Sequence, residues 1–194
     1  MIGTSDIRYL KLDRERLAAH LTMPPPRFAK KQLTSQIAAI GDAVLSRLIQ
    51  VEPNIFQMQL DAARDFGVSY LLEDQDRKFV GISAATSVIG DGDIMKKNLI
   101  LPREVANPNP SLSQHLIVGV FLRSPVVNHA LNIEDVLENV EVAGWVNTRD
   151  IHRIKNPRTP PSFKSKLPVV MVPCTKLQPI ESLESRLVSY DISV

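Results

Sequence analysis

One run of apolar residues constrains the fold of this chain more than any other segment. Residues 115–122 read His-Leu-Ile-Val-Gly-Val-Phe-Leu and show no alternation of polar and apolar side chains. A strand with one solvent-facing side would alternate, so this run predicts a central β-strand that is covered on both faces. A sheet covered on both faces needs a layer of structure on each side. The run therefore favours a layered α/β fold.

A helix is predicted before the strands, over residues 27–50. Apolar side chains recur along it at three- and four-residue steps: Leu33, Ile37, Ile40, Val44 and Leu48. This spacing places them on one face of a helix. Gly41 lies near that apolar face and would permit the close approach of a neighbouring element. Three prolines at 24–26 end the preceding segment, since proline cannot continue a helix.

Extended segments dominate the middle of the chain. Strands are predicted at 68–72, 78–88, 98–101, 115–122, 139–146 and 169–172. Residues 133–140 are predicted to form a short turn or helix. Short helices are predicted at 148–154, with Thr148 as the cap, and at 180–187, opened by Pro179 at a first helical position. We therefore predict a mixed-sheet α/β domain over residues 27–190, with a long N-terminal helix and an N-terminal extension at 1–26. A length of 194 residues suits one domain.

Composition excludes several classes of protein. A single cysteine, Cys174, rules out an internal disulfide framework and a cysteine-based zinc site. The phosphate-binding pattern GxxxxGK[ST], the dinucleotide pattern GxGxxG and the zinc-protease pattern HExxH do not occur. The charged N-terminus lacks the apolar core of a secretory signal, and no apolar run is long enough to span a membrane. We expect a cytoplasmic protein.

The net charge of +2 conceals an uneven distribution. Between residues 151 and 180 there are six basic residues and no acidic ones: Arg153, Lys155, Arg158, Lys164, Lys166 and Lys176. Such a segment can neutralise phosphates, which predicts salt-dependent binding of a nucleic acid such as DNA. An ordinary solvated face is the competing interpretation.

Other chemical patterns are weak. Asp91 and Asp93 flank Gly92 and could bind a hard cation, but the further ligands of a calcium loop are not in register and a plain turn is the better interpretation. Residues 81–85 resemble the nucleophile elbow of serine hydrolases, but a strand continues where that motif needs a sharp turn. The four histidines show no metal-binding spacing, and each is interpreted as a surface or packed residue.

The order of segments resembles the PD-(D/E)XK nuclease superfamily, the restriction-endonuclease-like fold. The helix at 27–50 stands where that family has its first core helix, and 68–87 stands where it has its metal-binding hairpin. Residues 98–122 resemble its short strand, polar proline-containing loop and buried strand. Residues 139–151, NVEVAGWVNTRDI, resemble its strand-then-helix segment. The resemblance implies a restriction-endonuclease-like core.

The catalytic motif of that family has no match in this chain. In the family, an aspartate on one strand and a (D/E)-x-K motif on the next hold magnesium, which polarises the phosphate and activates water. The resemblance places Gly81 at the acid and Ser83 at the lysine. Active-site residues could instead have moved to Asp91, Asp93 and Lys96, which follow soon after.

Three functional hypotheses follow. The leading one is a nuclease-fold protein with an eroded catalytic site that needs no cofactor and binds DNA or a protein through the basic segment. The second is an active, magnesium-dependent deoxyribonuclease with relocated residues. The third is a structural or homo-oligomeric module of a phage or mobile element.

Overall fold

The fold is known from a computed structural model of the chain. It describes residues 7–21, 32–50, 63, 65–90, 92–107, 109–123, 126–127, 130–131, 133–151, 153–154 and 169–192. Its strands are β1 (Arg8–Leu10), β2 (Tyr70–Glu73), β3 (Phe79–Ile89), β4 (Asn98–Pro102), β5 (Gln114–Arg123), β6 (Val126–Val127), β7 (Ala130–Leu131), β8 (Val140–Asn147), β9 (Val169–Pro173) and β10 (Asp191–Ile192). Its helices are α1 (Arg14–Leu21), α2 (Gln32–Leu48), α3 (Arg103–Ala106), α4 (Ile133–Glu138), α5 (Thr148–Ile151) and α6 (Ile180–Leu187).

The main sheet is mixed. Among the described residues it has six strands in the order β1-β8-β5-β3-β2-β10. Strands β3 and β5 pair in parallel, and the other neighbours pair antiparallel. Because two parallel neighbours need a crossover, the chain leaves β3, forms β4 and α3 over one face of the sheet, and returns as β5. The mixed α/β class predicted from the sequence is confirmed.

Strand β5 is the interior strand that the apolar run predicted. It lies between β8 and β3, and its side chains alternate between two hydrophobic clusters. Leu116, Val118, Val120 and Leu122 face a layer of helices, whereas Ile117 and Phe121 face the opposite side. We call these sides the helical face and the ribbon face. Burial on both sides explains why the sequence of this strand lacks polar positions.

The helical face is covered by α1, α2, α4 and α6, and the ribbon face by β4, β9, α3 and α5. Strands β4 and β9 form a separate two-stranded antiparallel sheet, which we call the ribbon. Helix α2 packs on β3 at Gly41, where an added Cβ would overlap Thr86 Oγ1 and lie 2.8 Å from Ala84 Cβ. The predicted close approach at Gly41 is therefore confirmed.

Strand β8 contains a bulge that shifts by one residue the alternation of its side chains between the two faces of the sheet. Its pairing with β5 shifts after Gly119, and Gly144 has a φ of +132°. Side chains on both sides of the bulge remain buried, since Val142 and Trp145 both face the helical side. A Cβ at Gly144 would overlap the carbonyl oxygen of Gln178, whose backbone pairs with Trp145 on the outer edge of β8. Glycine is needed at this position.

Two N-terminal elements lie within the predicted extension at 1–26. Strand β1 was not predicted, and it pairs with the outer edge of β8 in the main sheet. Helix α1 packs against α2 and contributes Leu17 to the core on the helical face. No described helix is both long enough and apolar enough to cross a membrane.

The cap predicted for the helix at 148–154 was wrong. The carboxamide oxygen of Asn147, not the hydroxyl of Thr148, accepts the hydrogen bond from the backbone N–H of Arg149, at 3.1 Å. Thr148 is already the first helical residue, and its buried hydroxyl has no hydrogen-bond partner among the described residues. The helix itself ends at Ile151, three residues earlier than predicted.

Candidate functional site

Gly81 occupies the position where the family resemblance implies a catalytic acid. It lies on β3 between Leu71 of β2 and His115 of β5. A Cβ added there would lie 2.5 Å from Cγ1 of Val68 and 2.8 Å from Cδ1 of Leu112. These apolar side chains close the face of the strand on which a carboxylate would have to project. The packing leaves no space for an acidic side chain at this position.

Ser83 occupies the position where the resemblance implies a lysine. Its hydroxyl lies 3.0 Å from Nε2 of His115, and both residues are buried. Burial lowers the pKa of His115 to about 4, so its imidazole is neutral at pH 7. Strand β3 continues through Ser83 to Ile89, which confirms that no nucleophile elbow forms here. The serine and the histidine therefore form a buried contact between two adjacent strands.

The turn after β3 contains the residues to which catalysis could have moved. Asp91 lies outside the described residues. Asp93 is exposed, and its carboxylate accepts a hydrogen bond from the backbone N–H of Met95 at 2.9 Å. That contact caps a short 3-10 turn at Ile94–Lys96, in which Lys96 is exposed. Asp93 thus acts as a turn-capping residue.

An arginine on the neighbouring strand holds this turn in place. Arg123 donates hydrogen bonds to the carbonyl oxygens of Gly90, at 3.4 Å, and Gly92, at 2.9 Å. Its Nε also donates to the buried carboxylate of Glu141 at 2.5 Å. The turn is therefore fixed to the end of β5. Within the part of the chain that the structure describes, no three His, Cys, Asp or Glu side chains converge as a metal site would require.

The predicted nucleic-acid-binding residues are described only in part. Lys155, Arg158, Lys164 and Lys166 lie outside the described residues. Arg153 follows α5 and is exposed, with one guanidinium nitrogen 3.5 Å from the carboxylate of Asp150. Lys176 is also exposed, in a second 3-10 turn at Cys174–Lys176 directly after β9. These two residues lie beyond opposite ends of the ribbon.

Sequence reasoning missed two further basic residues beside Arg153. Arg103 begins α3 directly after β4, and Arg149 lies on α5; both are exposed. Helices α3 and α5 pack against each other, so these arginines come from adjacent elements. We call Arg103, Arg149 and Arg153 the arginine cluster. Arg149 and Arg153 are four positions apart, whereas Arg103 lies 46 positions before Arg149 and is related to them by the packing of the two helices.

A lysine cluster lies beyond the other end of the ribbon. It consists of Lys96 and Lys97, at the end of one 3-10 turn and directly after it, and of Lys176 in a second 3-10 turn that packs against the first. The backbone N–H of Cys174 donates to the carbonyl oxygen of Lys97 at 3.1 Å, which joins the turns. Cys174 itself is buried, and burial raises the pKa of its thiol to about 12. The thiol is therefore protonated at pH 7.

A buried polar cluster on the helical face was also missed. Nδ1 of His20 lies 2.8 Å from the carbonyl oxygen of Arg16, and Nε2 lies 3.2 Å from the hydroxyl of Tyr70. The Tyr70 hydroxyl donates to the backbone carbonyl of Asp42 at 3.1 Å. Burial of the Asp42 carboxyl raises its pKa to about 6, against the opposing effect of a hydrogen bond from Ser69. The cluster joins α1 to α2 and β2.

Comparison of the chain with known proteins identified no relative. No protein-family model matches the chain, and no curated protein or solved structure matches it significantly.

Proposed function

We propose that the chain binds nucleic acid through the basic residues on its ribbon face and has no catalytic site at the position that the nuclease resemblance implies. One observation carries this proposal. Arg153 lies in the acid-free segment 151–180 and is exposed, as is Arg103 directly after β4. Strand β9 of the same segment begins at Val169, which pairs with Pro102 next to Arg103.

Ion pairing differs between the two sides of the molecule. On the helical side, three described basic residues pair with acids: Arg8 with Glu184, Lys11 with Glu138, and Arg14 with Glu134. On the ribbon face, the structure describes one ion pair for the six residues of the arginine and lysine clusters, between Arg153 and Asp150. The remaining basic residues of the two clusters are available to attract a polyanion.

The proposed erosion of catalysis rests on packing. Gly81 has no space for a carboxylate, and Ser83 is engaged with a neutral histidine. A fold that has lost metal-binding side chains can still present a basic surface, because binding of phosphates needs only exposed cations. The same surface would also suit an acidic protein partner, so the test must compare nucleic acid with protein-like polyanions.

Salt-dependent binding tests the proposal. We expect duplex DNA to bind at 50 mM salt, with a logarithmic salt slope that falls by about 0.9 for each phosphate contact removed. The double variant Arg103→Ala with Arg149→Ala should therefore flatten the slope by about 2. Fluorescence anisotropy of labelled DNA measures the slope, with unlabelled polyglutamate as a competitor that lacks phosphate.

The control is Arg14→Ala with Arg47→Ala, which removes two exposed arginines from the helical side. It should leave the slope unchanged. Absence of DNA binding at 50 mM salt would contradict the proposal and leave the structural or oligomeric hypothesis. Equal slopes for both double variants would show that the arginine cluster is not the contact surface.

A further inference from the structure

The ribbon is a rigid two-stranded platform between the two basic clusters. Its five residue pairs run from Asn98 opposite Pro173 to Pro102 opposite Val169. Leu99, Leu101 and Val172 face inward and are buried against the ribbon face of the main sheet. The fit is close, because a Cβ at Gly119 would lie 2.7 Å from Cδ2 of Leu99. The ribbon cannot turn without unpacking the core.

The outer face of the ribbon carries no charge. The alternation of the strands places six residues there, and all are half-buried or exposed: Asn98, Ile100, Pro102, Val169, Met171 and Pro173. Ile100 is 38% exposed, and none of the six is aromatic. An aromatic platform for the bases of a single strand is therefore lacking on this face.

The spacing of the clusters matches the dimensions of duplex DNA. Lys97 and Arg103 are six residues apart along β4, or about 20 Å in an extended strand. The major groove of B-form DNA is about 12 Å wide and admits a two-stranded β-ribbon. Cations about 20 Å apart can therefore contact the phosphates on both sides of a groove that the uncharged ribbon enters.

We infer that the outer face of the ribbon enters the major groove of duplex DNA, while the lysine and arginine clusters bind the phosphate backbones on either side. This inference rests on the proposed function and specifies its substrate. The carboxamide of Asn98 has the donor and acceptor that match the major-groove edge of adenine, and Ile100 and Met171 suit the thymine methyl group. Duplex RNA is disfavoured, because its major groove is narrow and deep.

Filling the groove tests the inference. The probe is a duplex whose cytosines carry glucosylated 5-hydroxymethyl groups, which occupy the major groove at every register. We expect its affinity to be at least tenfold below that of the unmodified duplex at equal salt. Netropsin, which fills the minor groove, should change the affinity less than twofold, and duplex RNA of the same sequence should bind at least tenfold more weakly.

Neutral substitutions on the ribbon give a second readout. Ile100→Ser with Met171→Ser should weaken binding about tenfold without changing the salt slope, because no charge is removed. The matched control is Val188→Ser, at a residue 88% exposed on α6's C-terminal turn, on the helical side. Thermal unfolding of each variant confirms that the fold is retained.

The outcomes separate the two claims. If the unmodified duplex does not bind at 50 mM salt, both the proposed function and the inference are wrong. If it binds but the glucosylated duplex binds equally well, the proposed function stands and the ribbon inference is overturned. Displacement by netropsin alone would assign binding to the minor groove and would likewise overturn it.

Discussion

His115 makes the stability of the protein depend on pH. Its side chain lies on the ribbon face of β5, where burial disfavours the charged imidazolium. The unfolded chain takes up a proton on this histidine below about pH 6.5, whereas the folded protein does so only near pH 4. The folded state therefore loses stability as the pH falls through this interval, by about 3 kcal/mol when the interval is fully crossed.

Replacement of His115 by glutamine tests this linkage. Glutamine cannot be protonated and can still donate a hydrogen bond to Ser83. We expect wild-type protein to lose about 2 kcal/mol more unfolding free energy than His115→Gln between pH 7 and pH 5. Urea unfolding at the two pH values measures the difference. Ser83→Ala keeps the imidazole, so it should behave like wild type; equal pH dependence in wild type and His115→Gln would contradict the assignment.

Two residues of the buried polar cluster, His20 and Asp42, affect the pH dependence of stability in opposite directions. Burial lowers the pKa of His20, which adds to the loss of stability in acid. Asp42 has a folded pKa of about 6, above its ordinary value of 3.8, so its contribution is largest at low pH and is lost as the pH rises through 6. The two residues therefore oppose each other, and the pH dependence of the wild type is smaller than that of His115 and His20 together.

Capping shows what a sequence reveals about single residues. Thr148 and Asn147 are both good cap residues, and they are adjacent. The choice between them depends on where β8 ends, because a cap residue must keep an extended backbone. Strand β8 runs through Asn147, which gives that residue the cap position. The capping preferences of the residue types identified the start of the helix to within one residue, but they do not distinguish between two adjacent cap residues.

At the scale of elements, the packing of α2 on β3 depends on Gly41. Gly41→Ala improves helix propensity by about 1 kcal/mol but forces a methyl group against Thr86 and Ala84. Overpacking of a rigid core costs about 1–3 kcal/mol. We expect a net loss of up to about 2 kcal/mol, measured by urea unfolding. Thr34→Ala, at an exposed position of the same helix, should change stability by no more than about 0.5 kcal/mol.

A second substitution locates the cause of this loss. Gly41→Ala combined with Thr86→Ala removes the hydroxyl that the new methyl group would strike, and Thr86 Oγ1 has no hydrogen-bond partner among the described residues. The double variant should recover part of the stability. A double variant no more stable than Gly41→Ala alone would place the strain elsewhere.

Elements were predictable from sequence where their signal is local. The apolar run at 115–122 fixed the central strand, and Pro179 fixed the start of α6. The pairing of the strands was not predictable, because it joins segments that are far apart in the sequence. Strand β1 is three residues long and pairs with β8, about 130 positions away, and so carries no pattern of its own. The ribbon likewise forms by pairing of β4 with β9, which lie about 70 residues apart in the sequence.

At the scale of the whole molecule, the sheet separates two kinds of surface. Helices cover one face, where Arg8, Lys11 and Arg14 pair with acids. The ribbon and two short helices cover the other, with basic clusters at each end. The sequence predicted the basic segment, because charge can be counted along a chain. It could not predict the clusters, because Arg103 and Lys97 become neighbours of that segment only through the fold.

The same division of surfaces argues against hydrolysis of DNA by the described residues. A magnesium-dependent nuclease needs carboxylates that converge on the phosphate bound by the cations. On the ribbon face, Glu141 is buried against Arg123, Asp93 caps a turn, and Asp150 pairs with Arg153. Each described carboxylate there already has a structural partner.

We therefore expect no cleavage of supercoiled plasmid by the purified protein with Mg²⁺ or Mn²⁺, under salt conditions in which DNA binding is measured in the same sample. Agarose electrophoresis of the plasmid provides the readout. Nicking by wild type that is lost in Asp93→Ala and Lys96→Ala, but kept in the exposed control Asp76→Ala, would contradict this expectation. It would also place the active site at the turn after β3. Intact plasmid alongside salt-dependent binding would mean that the ribbon face binds phosphates and leaves them unchanged.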